Sequence, residues 1–223
     1  MIKTFENKYI NYLFWMTIST IAFVGVYGFC NSYASTAEVT YRVYADWELK
    51  IPLVPWMMIP YRSLDWIFIA AFFWLGKKEI ARFSLHMVVG VLLAAIVFIL
   101  FPGELGFVRP DPATLGFWEP VYRLLYKLDK PHNLYPSLHI TYSYFGLKAI
   151  HDYNKNFKIS LICLIWFISI CFSVVLTYQH HLIDIVLGFA LGYGVYKYTF
   201  RLESEQSSQE NDVQEIDDLV SNS

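Results

Sequence analysis

Long apolar runs separated by short polar stretches dominate the chain. Residues 12–30, 83–101, 159–177 and 182–200 each approach the roughly 20 residues that a helix needs to cross a bilayer. Two further runs are less regular. Residues 51–75 carry Pro52, Pro55 and Pro60 in their first part, which either lies at the membrane interface or opens a kinked helix. Residues 136–150 are short for a span, which suits a helix whose first turn opens into a cavity. The pattern predicts an all-α polytopic membrane protein, a bundle of six transmembrane helices within residues 1–201. Residues 202–223 hold seven acidic residues, no basic one and many Ser and Gln, so they are expected to form a disordered acidic tail.

Polar residues at the breaks refine this picture. Arg62 and Asp65 are three apart and can pair on one helix face near the membrane surface; the alternative is a substrate contact. His86 stands alone near a basic helix end and reads as structural. Gly188, Gly192 and Gly194 offer close helix contacts in the last run. Residues 102–135 are too many for a simple connector, and Trp118, Tyr122 and Tyr126 predict that part of this loop rests on the bilayer surface.

Composition narrows the classes. Hydrophobic residues make up 56% and charged residues 16%, against roughly 25% charged in soluble domains, which leaves no room for a large soluble unit. A net charge of −2 gives nucleic-acid binding no electrostatic support, and nothing points to an obligatory protein partner. Cys30, Cys163 and Cys171 fit neither a zinc nor a disulfide pattern. The first run reads as a retained helix, not a signal peptide. Lys3, Lys8, Lys77, Lys78, Arg82, Lys148, Lys155, Lys158, Lys197 and Arg201 all fall on one side of the predicted bundle. The positive-inside rule makes that side cytoplasmic, with both termini inside. The loop of residues 102–135 and the corner at residues 178–184 then share the outer face. A bacterial inner membrane is the expected location.

Three polar patches meet at that face. His180 and Asp184 are four apart, so on a helix the carboxylate can hold one ring nitrogen and leave the other free as nucleophile or base. Tyr135-Pro136-Ser137-Leu138-His139 opens the fourth run, where Pro136 suits a first helical turn and Ser137 with the free N–H groups suits an anion. Arg109-Pro110 follows the third run and supplies a planar fork for phosphate oxygens. Two imidazoles can divide attack and protonation between them, so the residue types suit phosphoryl transfer.

These patches resemble the type 2 phosphatidic acid phosphatase (PAP2) superfamily, in particular its branch near the inositol-phosphorylceramide synthases. Residues 126–139, running Tyr126-Lys127-Leu128-Asp129-Lys130-Pro131-His132-Asn133-Leu134-Tyr135-Pro136-Ser137-Leu138-His139, look like that branch's second motif with its lead-in. Gln179-His180-His181-Leu182-Ile183-Asp184 looks like the third motif, Arg109-Pro110 like the end of the first, and residues 52–61 like the approach to the second span. The resemblance spans residues 51–192. It implies that His180 is the nucleophile and forms a phosphohistidine. It also implies that Asp184 orients His180, that His139 protonates the leaving group and activates the acceptor, and that Arg109 and Ser137 hold phosphate. No metal or other cofactor is implied. Two positions depart from the pattern. Pro102 stands where the first motif has a lysine, and Val174 where the third has an arginine; Tyr178 replaces a lysine common in the branch. On spacing, Lys127, Lys130 and Arg123 are candidates to supply the missing phosphate contacts; His181 reads either as a donor behind the site or as a residue that simply faces the interface.

The expected activity is therefore hydrolysis of a lipid-linked phosphate in the outer leaflet, with transfer to a lipid or sugar alcohol as the alternative. The partners are a lipid phosphate substrate and the bilayer. Two other classes account for less of the chain. A zinc hydrolase would use His139, His180, His181 and Asp184 as ligands but leaves Arg109 and residues 126–135 without a role. A transporter would suit the charges and helix breakers, but no repeat of the halves supports it.

Overall fold

The computed structural model describes residues 3–199, which are largely helical and contain no regular strand. The α-helices are α1 (Lys8–Ala34), α2 (Met58–Arg62), α3 (Leu64–Trp74), α4 (Lys77–Leu100), α5 (Glu119–Leu128), α6 (Leu138–Asn154), α7 (Phe157–Leu176) and α8 (residues 182–199). Short 3-10 turns precede α2 and α5. Arg201 and the acidic segment 202–223 lie outside the described residues.

Several helices outrun their apolar cores. The Asn7 side chain accepts from the Tyr9 and Ile10 N–H groups, so α1 starts at Lys8, and it continues past Cys30 to Ala34. Gly76 precedes α4, so the basic stretch read as a loop forms its first turns. Residues 51–75 do break. Ser63 separates α2 from α3, its hydroxyl donates to the Pro60 carbonyl at 2.5 Å, and Trp166 Nε1 of α7 donates to it at 2.7 Å. Pro136 is not in a first helical turn: Ser137 takes extended backbone angles and is itself the cap of α6, with Pro136 one place further out. Among the described residues, α1, α4 and α7 are long and apolar enough to cross a membrane. At 11 residues α3 extends only roughly 16 Å.

The hub is α6, where ten of 17 residues are buried. Gly90 of α4 admits Phe145, and Gly146 of α6 admits Ile67 of α3. The Tyr142 hydroxyl donates to the Met87 carbonyl at 3.1 Å. Lipid-type side chains such as Leu13, Ile21 and Val24 face outward from α1, while its inner face docks on α4 through Ser19 and Ser84, 2.5 Å apart.

The long loop folds over one end of the bundle. Tyr122 is fully buried, and Trp118 and Tyr126 are half-buried, so these rings do not lie on the surface as the sequence suggests. They pack inward, Tyr122 against Tyr126 and toward the Pro55 carbonyl. Phe117, Leu124 and Leu128 are the exposed apolar residues instead. At the opposite end lie Lys77, whose ammonium reaches the Glu6 carbonyl, and a cavity of about 340 Å³ walled in part by Arg82, His86, Asp152, Lys155 and Thr199.

At the loop-covered end α8 presses directly on the start of α6. A Cβ on Gly188 would sit 2.5 Å from the Ser137 carbonyl oxygen, whereas Gly194 has open space. Gly188→Ala is therefore expected to lower stability by about 1–3 kcal/mol through overpacking, with Gly194→Ala close to neutral. Thermal unfolding in detergent measures both.

Candidate active site

The segment after α7 sets the site. Tyr178 adopts a left-handed φ of 58°, which turns the chain so that the Gln179 and His180 N–H groups both donate to the Val174 carbonyl at 3.0 Å. The place where an arginine was expected thus holds a buried valine whose backbone ends the helix. The α8 helix then begins at residue 182.

Asp184 is fully buried. Its Oδ2 accepts from the His181 N–H at 2.9 Å and from His180 Nδ1 at 3.2 Å. A carboxylate only accepts, so His180 carries its proton on Nδ1 and exposes the Nε2 lone pair. Asp184 Oδ1 is buried without a partner. The backbone carbonyl of Asp184 accepts from the Ser137 N–H at 3.1 Å, and Thr141 Oγ1 donates to the Gly188 and Ser137 carbonyls. These contacts lock the first turns of α6 and α8 together.

Ser137 Oγ accepts from the Ile140 N–H at 3.5 Å. The Leu138 and His139 N–H groups find no acceptor among the described residues. One turn into α6, His139 stacks on the Tyr61 ring, with centroids 4.1 Å apart, and its Nε2–H donates to the Tyr61 carbonyl at 2.6 Å. A carbonyl also only accepts, so Nδ1 is the ring atom left for chemistry. The His139 and His180 rings lie near enough for a charge on one to act on the other.

Arg109 is half-buried over the Tyr126 ring. Nη1 donates to the Asp129 carbonyl and Nη2 to Gln179 Oε1, both at 2.8 Å, while Nε is buried without a partner. Gln179 thereby links the guanidinium to the segment that carries His180. Asp129 is held in turn by the Tyr27 hydroxyl of α1 at 2.6 Å. Tyr135 closes this side: burial, with Asp184 nearby, pushes its hydroxyl up to about 12, so it is a neutral donor, and it has no partner.

His181 is held by a different set of neighbours. It is sandwiched between Tyr44 and Phe107, with Tyr178 stacked beyond Phe107. Its Nε2 accepts from the Gly106 N–H at 3.0 Å. Its Nδ1 lies 3.4 Å from Oε2 of Glu48. His139, His180, His181 and Asp184 do not converge as a ligand set, and no group of three His, Cys, Asp or Glu side chains among the described residues is placed to hold a metal ion.

The cations proposed on spacing lie elsewhere. Arg123 pairs with Glu119 at 2.5 Å and is exposed. Lys130 reaches Ser35 at 3.2 Å. Lys127 is exposed without a polar partner among the described residues. All three lie on or just beyond the outer face of α5, because its inner face is taken by Tyr122 and Tyr126. Arg62 pairs with Asp65 at 2.6 Å, yet it follows Tyr61 directly and its charge reaches His139. Sequence reasoning missed Tyr61, Tyr27 and Glu48 as site-building residues. For Tyr61 the similarity at residues 52–61 was a usable signal; Glu48 sits among Arg42, Asp46 and Lys50 with nothing to single it out.

Compared with known proteins, the chain matches one family model, described as PAP2 superfamily, over residues 83–207. None of the curated proteins and none of the solved structures matches it. Glu48, Tyr61 and Arg62 lie ahead of the matched segment.

Burial holds the His181 imidazole below its ordinary value of 6.5, against the pull of Asp184 and Glu48. The unfolded chain therefore binds a proton that the folded chain resists, so stability is full above about pH 6.5 and declines as pH falls below it. His181→Phe, which keeps a ring in the stack, is expected to flatten the drop in unfolding temperature between pH 7 and pH 5 relative to the parent protein.

Proposed function

The chain belongs to the PAP2 superfamily, whose members are typically phosphatases or phosphotransferases, and on that premise we propose an integral membrane lipid phosphatase. It hydrolyses a lipid-linked phosphate at the outer leaflet through a phosphohistidine. The observation that carries the reading is the paired tautomers: Asp184 leaves His180 Nε2 free, and the Tyr61 carbonyl leaves His139 Nδ1 free.

In the first half-reaction His180 Nε2 attacks phosphorus and the bond to the lipid oxygen breaks. The phosphate's negative charge favours a second proton on His139, which passes from Nδ1 to the departing oxygen. In the second half His139, now neutral, takes a proton from water. The resulting hydroxide attacks phosphorus, the P–N bond breaks and phosphate leaves. The remaining Arg109 donors, the free Leu138 and His139 N–H groups and the Tyr135 hydroxyl are available to the phosphate oxygens. Arg62, whose charge acts on His139, is a candidate replacement for the basic residues absent at Pro102 and Val174.

Six helices cross the membrane in this reading, with α2 and α3 together forming one crossing. The end bearing Lys77, Lys78, Arg82, Lys155 and Lys158 is cytoplasmic, and the site faces the exterior of a bacterial inner membrane. Transfer to an alcohol shares the first half and differs in what attacks the phosphohistidine. The similarity of residues 126–139 to the inositol-phosphorylceramide synthase branch is what favours this second reading.

Purified protein given phosphatidate and a panel of other lipid phosphates is expected to release inorganic phosphate, unaffected by excess chelator. His180→Ala and His139→Ala should each lower kcat/KM by roughly 10²–10⁴, and the phosphohistidine trapped in the parent protein should be absent from His180→Ala. A new lipid in place of free phosphate would move the assignment to transfer. Full activity of His180→Ala would end it.

A further inference from the structure

Glu48 lies ahead of the family-matched segment, in the 3-10 turn Asp46–Lys50 between α1 and α2, yet it is only 4% exposed. Three groups face its carboxylate. Oε1 accepts from the Ala45 N–H at 3.0 Å. Oε2 accepts from the Leu182 N–H, the first amide of α8, at 2.9 Å and lies 3.4 Å from His181 Nδ1. Because His181 Nε2 already accepts from Gly106, Nδ1 carries the ring proton. Every group around Glu48 is thus a donor. The two carboxylate oxygens can offer an acceptor to each; a glutamine would turn an NH₂ toward one of them.

A route leads from this carboxylate to the nucleophile. Glu48 accepts from the amide of Leu182, part of the peptide unit that joins residues 181 and 182, and lies beside His181 Nδ1, which makes no hydrogen bond. The N–H of His181 donates to Asp184 Oδ2, the same oxygen that holds His180 Nδ1. Fixing residues 181 and 182 therefore fixes where that oxygen sits and how His180 is aimed.

We propose that Glu48 is a positioning residue for the phosphoryl-transfer centre, acting through the His181 peptide and Asp184 to hold the His180 imidazole in its attacking orientation. The proposal rests on the function assigned above to His180. It places an essential acidic group in a part of the chain to which the family match gives no role.

The test combines kinetics on phosphatidate in mixed micelles with proton NMR of the hydrogen-bonded His180 Nδ1–H, identified as the low-field resonance lost in His180→Ala. Glu48→Gln is expected to lower kcat about tenfold or more while KM changes by less than about twofold. In a double-mutant cycle Glu48→Gln should add less than about twofold to the loss in Asp184→Asn, since both act on one chain of contacts. The low-field resonance should shift or broaden in Glu48→Gln. Should Glu48→Gln fail to fold, Glu48→Asp keeps the charge but shortens the reach, and the same kinetic loss and resonance change are expected. Parent-like kcat, independent multiplication with Asp184→Asn, or an unmoved resonance would each overturn the proposal. If the parent protein releases no phosphate, the functional reading fails, and the resonance alone still decides the role of Glu48.

Discussion

A carboxylate with no access to water organises this molecule. Burying a charge is tolerable only where donors surround it. Asp184 finds two on one oxygen, and its own main chain takes a third donor from Ser137. The side chain thus orients an imidazole while the backbone of the same residue fastens α8 to α6. Gly188 makes that fastening possible, because any side chain there would hold the helices apart. Chemistry and packing share one residue, so the site cannot loosen without the bundle loosening as well.

Much of this was legible in the chain itself. The pairing of His180 with Asp184 was expected from their spacing on a helix; the contact forms, but with His180 ahead of α8 and Asp184 in its first turn reaching back to it. Arg62 and Asp65 pair, and His86 is bound to Thr199 away from the phosphate site, both as read. Helix lengths were less legible, since hydropathy marks where lipid touches a helix and α6 is buried in protein. Lys127, Lys130 and Arg123 were misplaced for a related reason. Charge at the right distance along the chain says nothing about which face of α5 it occupies, and that face was decided by Tyr122 seeking burial. Glu48 and the Tyr61 carbonyl were invisible, one because a lone acid in a mixed loop has no pattern, the other because a backbone acceptor has no residue type.

The two imidazoles are held by different kinds of acceptor. His180 leans on a carboxylate, a contact that would strengthen if the ring became positive in the proposed reaction. His139 leans on a neutral carbonyl and a stacked ring, which fix its plane without pinning it in the charged form. Under the proposed mechanism, that difference suits a nucleophile that would carry positive charge once phosphorylated and a partner that would gain and lose a proton in each turnover.

The exposed residues Leu124 and Leu128 stand on the far side of the helix whose tyrosine cradles Arg109, with exposed Phe117 just ahead of that helix. In the proposed orientation such a strip would settle at the waterline of a bilayer, where acyl chains give way to headgroups. With the guanidinium pinned just beneath, the phosphate of a lipid would arrive at the histidines while its hydrocarbon tails stayed in their own leaflet. Substrates would then be sorted by how far the phosphorus stands above the glycerol or its equivalent, a ruler that reads height before it reads chemistry.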